Sequence, residues 1–138
     1  MTGQPLRKAA ISNFAWPKEM DAEALALAAE LGFNGIEIAP GKVFSGWGAP
    51  ALAQAHDYRA RLADRGLAIP AMQGITFGVE NIALFESPEA RRRLADHLEQ
   101  VARLAGAVGA HASVFGAPRL RDPGMLDFAQ AFAIARDF

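Results

Sequence analysis

The chain contains no cysteine, so it forms neither a disulfide bond nor a thiolate metal site, and a thiolate nucleophile is excluded as well. It also lacks an excess of charge of either sign, because 14 Lys and Arg face 15 Asp and Glu, for a formal net charge of −1. This balance argues against a nucleic-acid-binding surface. No apolar run approaches the ~20 residues that span a bilayer, and residues 1–5 show no secretory signal. We therefore expect a cytoplasmic protein with neither a membrane nor a nucleic acid as partner.

The 138 residues, of which 51% are hydrophobic and 21% charged, have the composition and length of one globular domain. Four short apolar segments have the pattern of strands: 8–14, 35–39, 67–73 and 112–115. Each precedes a segment with helical signals, and these segments begin at Asp21, Pro50, Ser87 and near Met125. Gly32, Gly66 and Gly109 are expected to end the first three helices. Pro70 counts against the third strand, because proline cannot donate to a ladder.

Alternating strands and helices predict an α/β fold with parallel strands and right-handed crossovers. Four such units are about half of a TIM barrel, which takes roughly 250 residues. We therefore expect residues 1–138 to be the amino-terminal half of a (β/α)8 barrel, cut within or after helix four, with Phe128, Phe132 and Phe138 lacking a partner surface. The rival is an open doubly wound sheet. Its glycine-rich phosphate loop is absent after the first strand, where the sequence reads NFAWP at 13–17.

Both parallel folds bind ligands at the carboxyl ends of their strands. Glu37 alternates with Ile36 and Ile38, so it is expected to face the barrel interior. It is either a substrate or metal-network carboxylate or the structural partner of a neighbouring Arg or Lys. Gln73 ends the third strand, where it either binds substrate or satisfies loop backbone groups. The loop 74–81 that follows suits a lid or one wall of a pocket.

Polar and aromatic residues also follow the first and fourth strands. Asn13 and Trp16 are candidate substrate-binding residues, and the Trp16 indole either stacks on a sugar or packs in its turn. Arg119 and Arg121 form a candidate clamp for a phosphate or carboxylate. The alternative is that Asp122 pairs with one of these arginines on the surface.

The remaining candidates are weaker. Lys42 allows the same two interpretations as the arginines. His56 and His97 fall within helices, and His111 precedes the fourth strand at the end opposite the site, so none is expected to be a ligand or a base. Neither an H-E-x-x-H nor a G-x-S-x-G motif is present. We expect no complete catalytic set in this chain.

Four segments at predicted strand ends together resemble a known family: ISNFAW at 11–16, GIEIAPGKVF at 35–44, PAMQ at 70–73 and VFGAPRLR at 114–121. They are similar to the sugar phosphate isomerase/epimerase branch of the xylose isomerase-like TIM barrels, and most similar to members found with polysaccharide-biosynthesis genes. The resemblance implies a metal-dependent isomerase or epimerase of a sugar or sugar phosphate, which transfers a proton next to a carbonyl. It also implies a divalent metal such as Mn²⁺, Mg²⁺, Co²⁺ or Zn²⁺.

In the epimerases of this family two Glu, one Asp and one His hold the metal, and they come from strands five to eight. No catalytic or metal-binding residue therefore carries over, and this chain alone is expected to be inactive and metal-free. What carries over is a pocket wall made by Glu37, Gln73, Gly116, Arg119 and Arg121.

Two alternatives stay open. The first is an abasic-site DNA endonuclease of the same superfamily, although Gln73 and Phe115 stand where such enzymes carry metal-binding histidines. The second is a non-catalytic half-barrel that binds a sugar or a partner protein. Because an open half-barrel exposes two strand edges and uncovers Ala39, Ile69 and Ala71 in its interior, we expect this chain to dimerise or aggregate.

Overall fold

The computed structural model describes residues 8–138; the predicted lack of a secretory signal concerns residues 1–5, which lie outside this range. The strands are β1 (Ala10–Ser12), β2 (Gly35–Glu37), β3 (Ala71–Met72) and β4 (Ala112–Ser113). The helices are α1 (Asp21–Glu30), α2 (Pro40–Val43), α3 (Ala49–Ala63), α4 (Pro88–Val108) and α5 (Phe128–Asp137). Three 3-10 turns cover Asn13–Ala15, Lys18–Met20 and Pro118–Arg121.

All four strands are parallel and lie in sequence order. β1 pairs with β2, with Ser12 opposite Glu37, and β3 pairs with β4. The two pairs join through Ile38, whose backbone N–H donates to the Ala71 carbonyl (3.1 Å) and whose carbonyl accepts from the Gln73 N–H (2.9 Å). This arrangement confirms the predicted α/β fold built as part of a TIM barrel.

The third strand accommodates its proline through a bulge. Isolated bridges join Gly35 to Ala68 and Ile38 to Met72. The chain therefore advances four residues from Ala68 to Met72 while the neighbouring chain advances three, from Gly35 to Ile38, so the third strand has one extra residue. Pro70 lies in this bulge, where the ladder needs no N–H, and its carbonyl accepts a hydrogen bond from the backbone N–H just before β4 (3.0 Å). A bulge of this kind is how a proline is tolerated inside a sheet.

Two predicted positions are wrong, and the bulge accounts for the first of them. Ile69 does not face the barrel interior; it is 3% exposed and packs in the core between sheet and helices. Because one extra residue shifts the alternation, Ile69 and Met72 both point to the helices, and Gln73 points to the interior. Ala39, expected to be uncovered, is buried where the chain passes Gly74.

Capping chemistry determines most helix boundaries. The Ser87 hydroxyl caps α4, and Gly109, with a φ of 80°, ends it, as predicted. α5 begins at Phe128, later than predicted, because Asp127 and Gln130 cap each other reciprocally.

Two other boundaries are wrong. Residues 13 and 14, assigned to the first strand, form a 3-10 turn, because the Ser12 hydroxyl accepts from the Phe14 N–H. Pro40 does not merely close the second strand; it opens α2, where the fixed φ of proline suits a first helical turn. Residues 8–138 thus contain five α-helices where four were predicted.

The main core lies between the sheet and helices α1, α3 and α4, and α3 packs along α4. Its largest fully buried apolar side chains are Ile36, Ile38, Leu62, Met72, Leu104 and Val108. A smaller cluster formed by Ile82, Leu84 and Leu94 lies under the loop between β3 and α4. We call it the loop core.

Part of the apolar surface stays uncovered. Within residues 8–138, β1 and β4 each pair on one side only. On α5, Phe128 is 84% exposed and stacks on Phe132, with ring centroids 5.8 Å apart, and Phe132 and Phe138 are exposed as well. No helix in this range combines the length and apolarity needed to cross a bilayer.

We predict that Gly35→Ala destabilises the chain by about 1–3 kcal/mol. A Cβ at this position would lie 3.0 Å from the Pro70 Cδ and 3.2 Å from the Ala68 carbonyl oxygen. Gly106→Ala in α4 is the matched control, because nothing lies within 4 Å there, and it should stabilise by about 0.5–1 kcal/mol. Urea unfolding measures both.

The double variant Gly35→Ala/Pro70→Ala should regain part of the lost stability, since the closer of the two contacts, with the Pro70 ring, is removed. Equal stability of the two single glycine variants would contradict the close packing of the bulge.

We also predict that the chain self-associates through its open edges and exposed phenylalanines. Sedimentation should show an average mass that rises with protein concentration. Replacing Phe128 and Phe132 by serine should weaken the association. A monomer at every concentration would contradict this prediction.

Candidate functional site

Three polar side chains meet on the interior face, at the carboxyl ends of β1, β2 and β3. Gln73 lies between the other two: its Nε2 donates to the Ser12 Oγ (2.5 Å) and to the Glu37 Oε2 (2.5 Å). The β1–β2 register brings Ser12 opposite Glu37. We call Ser12, Glu37 and Gln73 the polar row. All three are partly buried.

The polar row leaves both donors and acceptors for a ligand. Gln73 uses both of its N–H groups, so its carbonyl oxygen is left to accept. Ser12 accepts from the Phe14 backbone N–H (3.3 Å) and from Gln73, so its own hydroxyl proton is left to donate. Within residues 8–138, Glu37 forms no ion pair, and its partner is the Gln73 amide rather than an Arg or Lys. Two hydrogen-bond acceptors beside one donor can together bind neighbouring hydroxyl groups of a small molecule.

Asn13 and Lys42 hold the loops at the ends of β1 and β2 together. The buried Asn13 side chain accepts from the Ala39 N–H (2.9 Å). The Lys42 ammonium donates to the carbonyls of Asn13 (2.6 Å) and Trp16. Both residues therefore support the site through the backbone, and a direct substrate contact by Asn13 stays a prediction. Its Nδ2 is buried and has no hydrogen-bond partner among the described residues.

Trp16 turns toward the helices. Its indole N–H donates to the Asp21 Oδ1 (3.0 Å), and the Tyr58 hydroxyl donates to the Asp21 Oδ2 (3.4 Å). The ring packs against the main core. This placement favours the packed-turn interpretation of Trp16 over stacking on a sugar.

Phe14 is the aromatic side chain at the strand ends. It is 55% exposed, and its ring covers Gly74, where a Cβ would lie 3.2 Å from the Phe14 Cζ. The Lys42 Nζ lies 5.7 Å from the ring centroid. The sequence offers Phe14 beside Asn13 and Trp16 at the end of the first strand, whereas Ser12 was not selected as a site residue. Ser12 could have been found from the sequence. Side chains alternate between the two faces of a strand, so residues that pair across parallel strands, such as Ser12 and Glu37, point to the same face.

The buried His97 fixes the turn that follows Gln73. Its Nε2 lies 2.6 Å from the Ile75 carbonyl oxygen, and because a carbonyl only accepts, Nε2 carries the proton. The Trp47 ring meets the imidazole edge-on at 4.6 Å. His97 thus positions the β3 loop from outside the site, whereas His56 and His111 are exposed.

The loop between β3 and α4 forms a wall rather than a free lid. The Leu84 N–H donates to the Leu120 carbonyl (2.8 Å), and the Arg91 Nε donates to the Leu84 carbonyl (2.8 Å). The loop core lies beneath it. Of the two roles expected for this loop, these contacts favour the wall of a pocket.

The two arginines after β4 do not converge. Arg121 donates to the Gly116 carbonyl (2.9 Å) and lies over the Phe115 ring. Arg119 lines a cleft of about 630 Å³ between this loop and the β3 loop. Asp122 accepts from the Gly124 N–H (2.9 Å) and pairs with neither arginine in the described chain. Only Arg119 is placed to meet a ligand in that cleft.

The metal implied by the family resemblance finds no ligand set here. Across residues 8–138, no three His, Asp or Glu side chains group closely enough to hold an ion. Glu37 is a single carboxylate among neutral groups. These residues alone do not fit a divalent metal site.

The sequence matches no family profile and no curated protein. Among solved structures, the chain is similar to the probable 3-DHS dehydratase AsbF involved in the petrobactin synthesis from Bacillus anthracis. The TM-score is 0.51 and the identity 17%, and the match covers 78% of this chain but only 37% of that one. This neighbour is a TIM barrel of the xylose isomerase-like superfamily. The likeness supports the fold, while the isomerase/epimerase branch and the domain boundaries stay predictions.

The Tyr58 hydroxyl predicts an alkaline instability. Burial raises the pKa of Tyr58, and the Asp21 carboxylate raises it further. The folded state therefore keeps this proton at a pH where the unfolded chain has lost it. The stabilisation is complete below about pH 10 and is lost as the pH rises through the folded-state pKa.

Above pH 10 the free energy of unfolding should therefore fall, by at most about 1.4 kcal/mol per pH unit from this group. Tyr58→Phe should remove this component, measured as the difference between the two unfolding profiles. Tyr58 is the only tyrosine, so tyrosinate absorbance reports its ionisation directly. A Tyr58 that ionises at the same pH in folded and unfolded chain would contradict the prediction.

Proposed function

We propose that this chain forms the amino-terminal half of an isomerase or epimerase that acts on a sugar or sugar phosphate. The observation that carries the proposal is the polar row, a hydroxyl, a carboxylate and an amide on three adjacent strand ends. Ligand-binding residues of TIM barrels occupy this position. The solved neighbour is named a probable dehydratase, and a dehydratase removes water from a hydroxylated substrate.

In this proposal the described residues bind and orient the substrate. The Glu37 carboxylate and the Gln73 carbonyl accept hydrogen bonds from sugar hydroxyl groups, and the Ser12 hydroxyl donates one. The exposed Phe14 ring packs against an apolar face of the sugar. Because Gln73 joins Ser12 to Glu37, the three groups act as one preorganised unit.

Proton transfer next to a carbonyl needs an acid and a base on opposite faces of the substrate. The polar row offers one carboxylate on one side of the barrel, so the acid–base pair and any metal ligands belong to strands beyond these four. By itself the chain is a binding half without turnover, and this distinguishes it from the complete enzyme.

The test is exchange of substrate hydrogen for deuterium. Full-length protein in heavy water with Mn²⁺ should incorporate deuterium beside the carbonyl of at least one member of a panel of sugars and sugar phosphates. Glu37→Gln and Gln73→Leu should raise KM about ten-fold or more with a smaller change in kcat, because they remove substrate hydrogen bonds. Glu30→Gln, an exposed change on α1, is the control.

Absence of exchange across the panel would overturn the proposal. Cleavage of abasic-site DNA by the same preparation would favour the endonuclease alternative. Unchanged KM in both polar-row variants, with exchange present, would show that the substrate binds elsewhere.

A further inference from the structure

Two adjoining clefts begin at Gly74, the residue that follows Gln73 of the polar row. The first part, of about 630 Å³, runs from Gly74 between the β3 loop and the β4 loop to Arg119. The second part, of about 490 Å³, shares Glu86 and Arg119 with the first and continues to Met125. We call the two parts together the loop cleft.

Both walls of the loop cleft are built before any ligand arrives. The loop core fills the space beneath the β3 loop, and Leu120 packs against it. The backbone hydrogen bond from Leu84 to Leu120 ties one wall to the other (2.8 Å). A preformed cleft binds with a smaller loss of conformational entropy than a mobile loop.

The residues that line the loop cleft combine an aromatic ring with hydrogen-bonding groups, which is the combination that binds a sugar ring. Phe77 is 82% exposed, although a side chain of this size is normally covered. Its free face provides an apolar platform. Thr76, Glu86 and Arg119 line the same part of the cleft, and they supply a hydroxyl group, a carboxylate and a guanidinium group as hydrogen-bonding partners.

The balance of charge selects an uncharged ligand. Among the residues that the structure describes, Arg119 is the single cation lining the cleft, and it is opposed by Glu86 in the first part and by Glu86 and Asp122 in the second. A phosphate bound by Arg119 would also meet the repulsion of these carboxylates. A neutral polyol, in contrast, accepts from the guanidinium and donates to the carboxylate.

We propose that the loop cleft binds a second, uncharged sugar unit, linked to the sugar held by the polar row. The substrate is then a disaccharide or longer glycoside rather than a free monosaccharide. This inference rests on the proposed function for the first sugar unit. The second site itself is formed entirely by the β3 and β4 loops of this chain.

Binding to this chain tests the proposal without requiring turnover. Amide NMR titrations compare glucose and galactose with cellobiose, lactose and maltose. At least one disaccharide should bind at least ten-fold more tightly than its monosaccharide and shift the amide signals of Gly78 and Ala117. Phe77→Ala and Arg119→Ala should each remove most of this difference, while Phe77→Tyr should retain it.

Phe132→Ala is the matched control, because Phe132 is an exposed aromatic on α5 that lines neither part of the loop cleft. All variants should keep the circular dichroism spectrum and thermal midpoint, since the altered side chains are exposed. Monosaccharide shifts at Ser12 and Gln73 report separately on the polar row.

Disaccharides that bind no more tightly than monosaccharides would overturn the inference while leaving the proposed function standing. A disaccharide that still binds at least ten-fold more tightly than its monosaccharide in the Phe77→Ala variant would also overturn the inference. Inorganic phosphate that shifts the Gly78 and Ala117 signals, with an affinity that falls with salt, would assign the cleft to an anion instead. Monosaccharides that shift neither Ser12 nor Gln73 would count against the proposed function itself.

Discussion

The extra residue in β3 is the constraint on which the rest of this structure depends. Without the bulge at Pro70, the alternation that turns Ile69 toward the helices would also turn Gln73 toward them and leave Met72 in the barrel interior. The bulge lets β3 bury both Ile69 and Met72 while presenting Gln73 to the interior. Gly35 favours this arrangement, because a Cβ at this position would lie only 3.0 Å from the Cδ of the Pro70 ring.

From that placement the site is assembled by short hydrogen bonds across neighbouring strands. Gln73 joins Ser12 and Glu37, so the position of one amide orients a hydroxyl and a carboxylate. The turn after Gln73 is held from outside by His97, which bonds to the Ile75 carbonyl. A buried histidine on α4 and a glutamine at the end of β3 thus hold neighbouring parts of the same turn through hydrogen bonds.

The surface of the chain has two kinds of region: loops that are packed and hydrogen-bonded in place, and apolar surface that stays uncovered. The β3 loop has its own apolar cluster and is tied to the β4 loop, so the cleft between them is part of the folded structure. The sheet edges and α5 are different, since they expose apolar groups that a complete barrel would cover. The cleft between the two loops and the uncovered sheet edges therefore lie on different parts of the chain.

The sequence by itself determined the alternation of strands and helices, the cap at Ser87, the stop at Gly109 and the interior position of Glu37, because these depend on neighbours within a few residues. Only the tertiary structure decided that Ile69 is in the core, that Phe14 rather than Trp16 lies at the strand ends, and that the two arginines separate. These outcomes depend on a bulge, on a hydrogen bond to Asp21 and on a carbonyl at Gly116, and each of these involves contacts that strand and helix periodicity does not encode.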